Sequence, residues 1–162
     1  MLLLSKLIIY IIIFIFSFKN LFAADIPIIV IAPSKKAQSI STVGSSVTVY
    51  GQSDLENTND YFLGDILSDG ASTNFFQSGG KGTLSGIQIR GMPKHYSTVY
   101  IDGVKMSDAS TPKNAYNFDD ILSNQISRVE ILKGNQSSVY GSGAMGGTIN
   151  ITTKRGLPGS QK

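Results

Sequence analysis

Residues 134–150 set the tightest limit on what this chain can become. Five of its 17 glycines fall here, at Gly134, Gly141, Gly143, Gly146 and Gly147, between the apolar runs 129–132 and 148–152. Glycine takes positive φ without strain and lets backbone approach closely, so a cluster this dense, fenced by two strand-like runs, marks a compact structural loop. Gly141, Gly143 and Gly146 also spell G-x-G-x-x-G. A dinucleotide site would need a helix after the triplet and an acidic residue about 20 positions on. The triplet runs instead into the β-branched Thr148-Ile-Asn-Ile-Thr-Thr153, and no carboxylate follows Glu130. The cluster reads as architecture, not as a cofactor cradle.

At 162 residues the chain has room for one domain. Residues 1–24 read as a secretory leader, with Lys6, the apolar stretch 7–18, and small residues at Ala23 and Ala24. The apolar stretch is short of the about 20 residues that a membrane span needs. Export with cleavage is the expectation, and a retained anchor the alternative. Lys6 and Lys19 lie in the leader, so the formal charge of +3 belongs partly to it. The remaining lysines are scattered rather than striped, which leaves no footprint for nucleic acid. The absence of cysteine excludes a disulfide scaffold, a thiolate metal site and a thiol nucleophile.

Beyond the leader, an apolar run ends at Ala32 between Pro27 and Pro33. It suits either a first edge strand or a peptide that adds itself to a partner's sheet by main-chain pairing. Residues 46–50 alternate as a strand. Ser53 and Glu56 have the spacing of a capping box. In 60–68 the apolar positions Phe62, Leu63, Ile66 and Leu67 share a helical face, with Asp65 and Asp69 turned outward as a solvated face. Residues 72–77 look extended and lead into 78–83, a glycine loop tip that lacks the spacing and following helix of a P-loop. Ile87 and Ile89 alternate with Gln88 and Arg90 as a strand. So do residues 98–101, and Asp102-Gly103 is a hairpin signal joining them to 104–106.

His95, the single histidine, has no second histidine or cysteine to share a zinc ion with and reads as a surface loop residue. A serine triad lacks both G-x-S-x-G and a partner for His95. A polar loop at 107–117 precedes an expected short helix at 118–123 and a strand at 126–133. On that strand Arg128, Glu130 and Lys133 are expected to project away from the apolar positions, into solvent or against a polar wall. No nucleophile, base and orienting group converge, so no enzyme activity is expected.

Four ordered stretches carry a resemblance: Ile87-Gln-Ile-Arg-Gly91, Val99-Tyr-Ile-Asp-Gly-Val104, Arg128-Val-Glu-Ile-Leu-Lys-Gly134, and 140–156 from Tyr140 to Gly156. In order and spacing they resemble the plug domain of TonB-dependent outer-membrane receptors, over nearly all of 25–156. Residues 79–91 look most like the cobalamin-receptor branch, with siderophore receptors next. The resemblance implies an α+β fold, a small mixed β-sheet with short helices and glycine-rich loops, seated in a β-barrel of the outer membrane. It divides the chain into a signal peptide (1–24), a TonB-box-like segment and linker (25–45), a plug (46–156) and a tail (157–162).

By the same likeness Ile28, Ile29, Val30, Ile31 and Ala32 form the TonB box, and Lys81, Thr83, Leu84, Asp108 and Tyr116 are loop contacts to a scarce ligand such as cobalamin or a ferric siderophore. Arg90 and Lys133 would present charge to barrel carboxylates, with Lys133 standing where arginine is usual. TonB, a barrel and the ligand are the implied partners, and no cofactor or metal is. A barrel of about 22 strands, at about 9–11 residues each, does not fit in this length, so a truncated receptor is the expectation. The alternative is a free-standing periplasmic plug-like binding protein.

Overall fold

The structure, a computed structural model, describes residues 28–32, 35–68, 70–118 and 121–156. The signal-peptide reading, Asp69 and the tail at 157–162 lie outside them. Two short strands open the chain, β1 (Ile29–Val30) and β2 (Gln38–Ser39), paired antiparallel. Then come β3 (Ser46–Tyr50), α1 (Gln52–Glu56), α2 (Leu63–Ser68), and the hairpin of β4 (Thr73–Gln77) and β5 (Ser85–Ile89). The hairpin of β6 (Ser97–Ile101) and β7 (Val104–Met106) follows, then β8 (Ile126–Lys133), α3 (Ser137–Tyr140) and β9 (Gly147–Thr153).

The central sheet has the order β3-β8-β9-β6-β7. β9 runs parallel to β6, and every other pair is antiparallel. The glycine-dense stretch is the connection between β8 and β9, which lie side by side. Its backbone folds into α3 and a 3₁₀ turn at Ser142–Ala144, with Gly141 at φ +85° between them.

Alternation along the strands gives the sheet two unlike faces. Ile149 and Ile151 of β9, Val129 and Ile131 of β8, and Val99 of β6 share one face and are fully or almost fully buried. They pack with Leu55 of α1, Leu63, Ile66 and Leu67 of α2, and Ile87 and Ile89 of β5. Burying side chains of this size is worth about 1.5–3 kcal/mol each, which makes this layer the principal source of stability. Ser127 forms a bulge opposite Thr152 and Thr153, and the extra residue lets Ile126 join the same core although Arg128 faces the other way.

The second face carries Arg128, Glu130 and Leu132 beside Thr148, Asn150 and Thr152. A smaller cluster of Leu132, Ala32, Tyr140 and Ala144 covers it. Glu130 and Lys133 thus belong to opposite faces, and neither projects into solvent. Glu130 is 2% exposed, while Lys133 sits on the core face at 6%. The expectation that these charges project away from the apolar positions holds for Arg128 and Glu130 and fails for Lys133, because positions 130 and 133 differ by an odd number in a period of two.

Other local expectations shift in the same way. The Ser53–Glu56 capping box is not formed. Gly51 caps α1, its N–H donating to the Asp54 carboxylate at 2.8 Å, and Glu56 takes Lys154 at 2.6 Å instead. Positions 119 and 120 of the expected helix at 118–123 lie outside the described residues, and of the rest only Ser123 is helical, opening a 3₁₀ turn at Ser123–Gln125. Residues 121–123 instead pair with 61–63: Leu63 N–H donates to the Ile121 carbonyl and Ser123 N–H to that of Tyr61, both at 2.9 Å. The same pairing delays α2 to Leu63, later than the periodicity alone implies.

Asp102 (φ 49°) and Gly103 (φ 84°) form the expected two-residue hairpin turn. The Asp102 carboxylate accepts from the Thr153 hydroxyl at 2.6 Å and the Thr153 N–H at 3.0 Å, and these bonds, hydroxyl first, lower its pKa. A lowered aspartate adds stability above its unfolded pKa of about 3.9, and loses it as pH falls through the folded value. Thr153→Val is therefore expected to melt below wild type at neutral pH, with the deficit narrowing below about pH 4. A deficit constant from pH 7 to pH 2 in thermal melts would contradict this account.

Candidate functional site

Two loops meet at one end of the molecule, and a buried serine joins them. Ser85, at the start of β5 and fully buried, donates both its N–H and its hydroxyl to the Asn117 side-chain oxygen at 2.6 Å, and its Oγ accepts the Phe118 N–H at 2.9 Å. Its carbonyl accepts from Lys94 Nζ at 3.0 Å. The base of the 78–84 turn is thereby fixed to the end of the 107–117 loop. Sequence reading named neither Asn117 nor Lys94, because a lone amide in a polar loop carries no pattern. Ser85→Ala leaves the Phe118 N–H unpaired and buried, a loss of about 1–3 kcal/mol. A double-mutant cycle with Asn117→Ala is expected to show coupling of at least about 0.5 kcal/mol. Additive losses in urea melts would mean the loops are independent.

The expected ligand-loop residues are divided by the structure. Leu84 is 41% exposed. Thr83 closes its own turn through the Gly80 carbonyl. Lys81 folds back onto Asp65 and over the Phe62 ring at 4.5 Å. Asp108 accepts the Ser110 hydroxyl and N–H, which lower its pKa in that order, so it stays ionised while shaping its loop. Tyr116 packs edge-on against Phe118, with centroids 5.1 Å apart.

Beside this junction a cleft of about 370 Å³ opens between the 107–116 loop, the β6–β7 hairpin and the glycine turn. Lys105, Lys113, His95, Tyr116, Ser97 and Ser142 are among its lining, and none of the described residues that line it is a carboxylate. His95 lies in the short turn Lys94–Tyr96, as a loop residue, and is half-buried. Its Nε2 lies 3.1 Å from Lys113 Nζ, and burial first, then that ammonium, hold its pKa below the usual value. Ser97 Oγ is buried here with no hydrogen-bond partner among the described residues. Cations and hydroxyls without acid suit an anionic, oxygen-rich ligand. Among the described residues no group of histidine, aspartate and glutamate could hold a metal ion.

The N-terminal segment lies on the second sheet face. Val30 and Ala32 are buried, whereas Ile28 and Ile31 are about half exposed. The N–H groups of Ile31 and Ala32 donate to one oxygen of Glu130, at 2.9 and 2.8 Å, and Arg128 Nε donates to the other at 2.9 Å. The Tyr140 hydroxyl donates to the Ala32 carbonyl, and Ile40 N–H to that of Ile28 at 2.8 Å. Burial, then the neighbouring Tyr100 and Glu130, raise the Tyr140 pKa and keep that donor protonated. Lys35 adds its ammonium 5.0 Å over the Tyr140 ring. Of the two alternatives read from sequence, the segment takes the edge strand here, paired with β2 and held by side chains of the second sheet face.

Arg90 is exposed in a left-handed conformation (φ 53°) and lies against Gly134, while Lys133 donates to the Ala71 carbonyl. Burial first, and Arg90 second, lower the Lys133 pKa. Among the described residues no ion pair joins either cation to a carboxylate.

The family model described as the TonB-dependent receptor plug domain matches residues 39–148. Among solved structures, the siderophore receptor PirA from Pseudomonas aeruginosa is 28% identical with a TM-score of 0.53, over 68% of this chain and 18% of that one. The siderophore receptor PirA from Acinetobacter baumannii is 26% identical with a TM-score of 0.56, over 68% of this chain and 17% of that one. The alcaligin outer-membrane receptor FauA from Bordetella pertussis, at 22% identity, shares the fold with a TM-score of 0.64, over 80% of this chain and 22% of that one. The chain spans about a fifth of the length of the receptors it matches.

Proposed function

Since this chain belongs to the TonB-dependent receptor plug-domain family, we propose that it is the gating stopper of an outer-membrane receptor that takes up a ferric siderophore. The observation that carries the ligand class is the cleft beside the Ser85–Asn117 junction, which is basic and rich in hydroxyls, with no acid among the described residues that line it. Such a lining favours an anionic oxygen-donor complex over a largely neutral corrinoid, and two of the similar structures are siderophore receptors at or above 26% identity.

In this reading Leu84 and Tyr116 meet the ligand together with Lys105 and Lys113, while Lys81, Thr83 and Asp108 hold the loops in shape. Residues 28–32 are the segment to which TonB adds a strand. Arg90, and Lys133 beneath it, meet barrel carboxylates, which would relieve the mutual repulsion of two adjacent cations. The work is mechanical: a pull on the N-terminal segment loosens the sheet it is tied to. No covalent step is needed.

The test is uptake by cells that make the receptor, compared with cells that lack it. Radiolabelled ferric siderophore should accumulate only with the receptor present, and collapse of the proton-motive force should stop accumulation while leaving surface binding. Accumulation of cobalamin but of no ferric siderophore would overturn the ligand class.

A further inference from the structure

We infer that Glu130 is a built-in competitor for the strand that docks at residues 28–32. The inference rests on the reading of that segment as the TonB-pairing strand. In β1 the Ile28 carbonyl faces β2, where it accepts from Ile40, and Val30 pairs with Gln38. Alternation along the strand turns the N–H of Ile31 to the opposite side, which is the edge a new strand would use. That donor is taken. One Glu130 oxygen accepts it, in the place where a carbonyl of an added strand would, and also accepts the N–H of Ala32. Tyr140 separately anchors the Ala32 carbonyl, just past the end of β1.

The carboxylate is suited to this duty. It is buried in the sheet face at 2% exposure, and Arg128 fixes its second oxygen. An ionised acceptor makes stronger bonds to N–H groups than a neutral carbonyl does. An incoming strand must therefore displace a better acceptor than it brings. The bonds that hold the segment down and the bonds that TonB would make cannot coexist at Ile31. Anything that shifts β8, on which Glu130 sits, alters how many molecules are open to pairing, and the apparent affinity for the partner falls in proportion to the open fraction. β8 is also the strand that carries Lys133 and leads into the glycine turn, so the clamp shares a rigid element with the ligand-proximal end.

The test uses the full chain in three forms: wild type, Glu130→Gln and Tyr140→Phe. Glutamine keeps the shape of Glu130 but sets an N–H against either Arg128 or the two backbone donors. Amide hydrogen exchange at Ile31 and Ala32 in wild type should be at least about tenfold slower than in an unstructured chain, a result independent of whether a variant folds. Glu130→Gln should speed both amides by about tenfold, while exchange at Ile149 stays unchanged. Tyr140→Phe should speed them less, since it leaves the carboxylate in place.

Binding of purified TonB periplasmic domain should tighten in Glu130→Gln by about the same factor. Wild-type amides that exchange at unstructured rates, or amides that Glu130→Gln leaves unchanged, overturn the clamp. Faster exchange with unchanged TonB affinity overturns the competition. Faster exchange with no TonB binding to any form leaves the clamp standing and defeats the partner reading instead.

Discussion

Gly147→Ala is expected to cost the domain about 3–5 kcal/mol, a large part of the roughly 5–15 kcal/mol that holds a domain of this size. A Cβ at position 147 would lie 2.3 Å from the Leu132 carbonyl oxygen and 2.8 Å from Ile89 Cδ1, and the residue sits at φ +158°. The carbonyl cannot give way. Leu132 is fixed on one side by Val47 of β3 and on the other by Thr148 of β9, so moving it breaks two ladders at once. Ile89 is fully buried in the main core and has no free rotamer space to retreat into. Gly44 is the control: a Cβ there meets nothing within 4 Å, and Gly44→Ala is expected to stay within about 0.5 kcal/mol of wild type. Urea midpoints at matched slopes read both. Equal midpoints for the two variants would mean that the turn between β8 and β9 tolerates a side chain, and that its glycine density is not a steric requirement.

Ile31→Pro should cut energy-dependent uptake by more than about 100-fold while sparing ligand binding at the cell surface. Proline has no N–H, so it removes the donor that Glu130 holds and that an added strand would need. The cost to folding is limited to that bond and its neighbours, about 1–3 kcal/mol, because the central sheet and the main core do not include residue 31. The contrast with Glu130→Gln is diagnostic. Both weaken the hold of Glu130, the proline by removing the Ile31 donor while that of Ala32 stays, yet only the glutamine variant leaves a strand that can still pair. Uptake retained at near wild-type rates in Ile31→Pro, with the protein folded, would remove residues 28–32 from the energised step.

What the sequence determined by itself is what neighbouring residues decide. The two-residue period of Ile87 and Ile89 named one face of β5 before any partner was known, and the β-branched run at 148–153 named β9 as a strand. Asp102-Gly103 dictated its turn because few other pairs accept positive φ at both positions. The glycine crowd from Gly134 to Gly147 required a tight connection, and the four ordered motifs carried the family. Tertiary structure alone decided the rest. The parallel pairing of β6 with β9 joins residues about 50 apart in sequence, beyond the reach of any local preference.

Residues 121–123 gave up a helix because the backbone at 61–63 offered them better-satisfied hydrogen bonds. Lys81 looked like a reaching loop cation and lies down on Asp65 instead, and Ser85 gained its importance only when Asn117 arrived beside it. Glu130 reads as a charge turned to solvent or to a polar wall until residues 31 and 32 fold over it, about a hundred positions away in sequence. A side chain's face follows from its own strand's period, but what covers that face follows from where the whole chain closes, and burial and charge take their meaning from the cover.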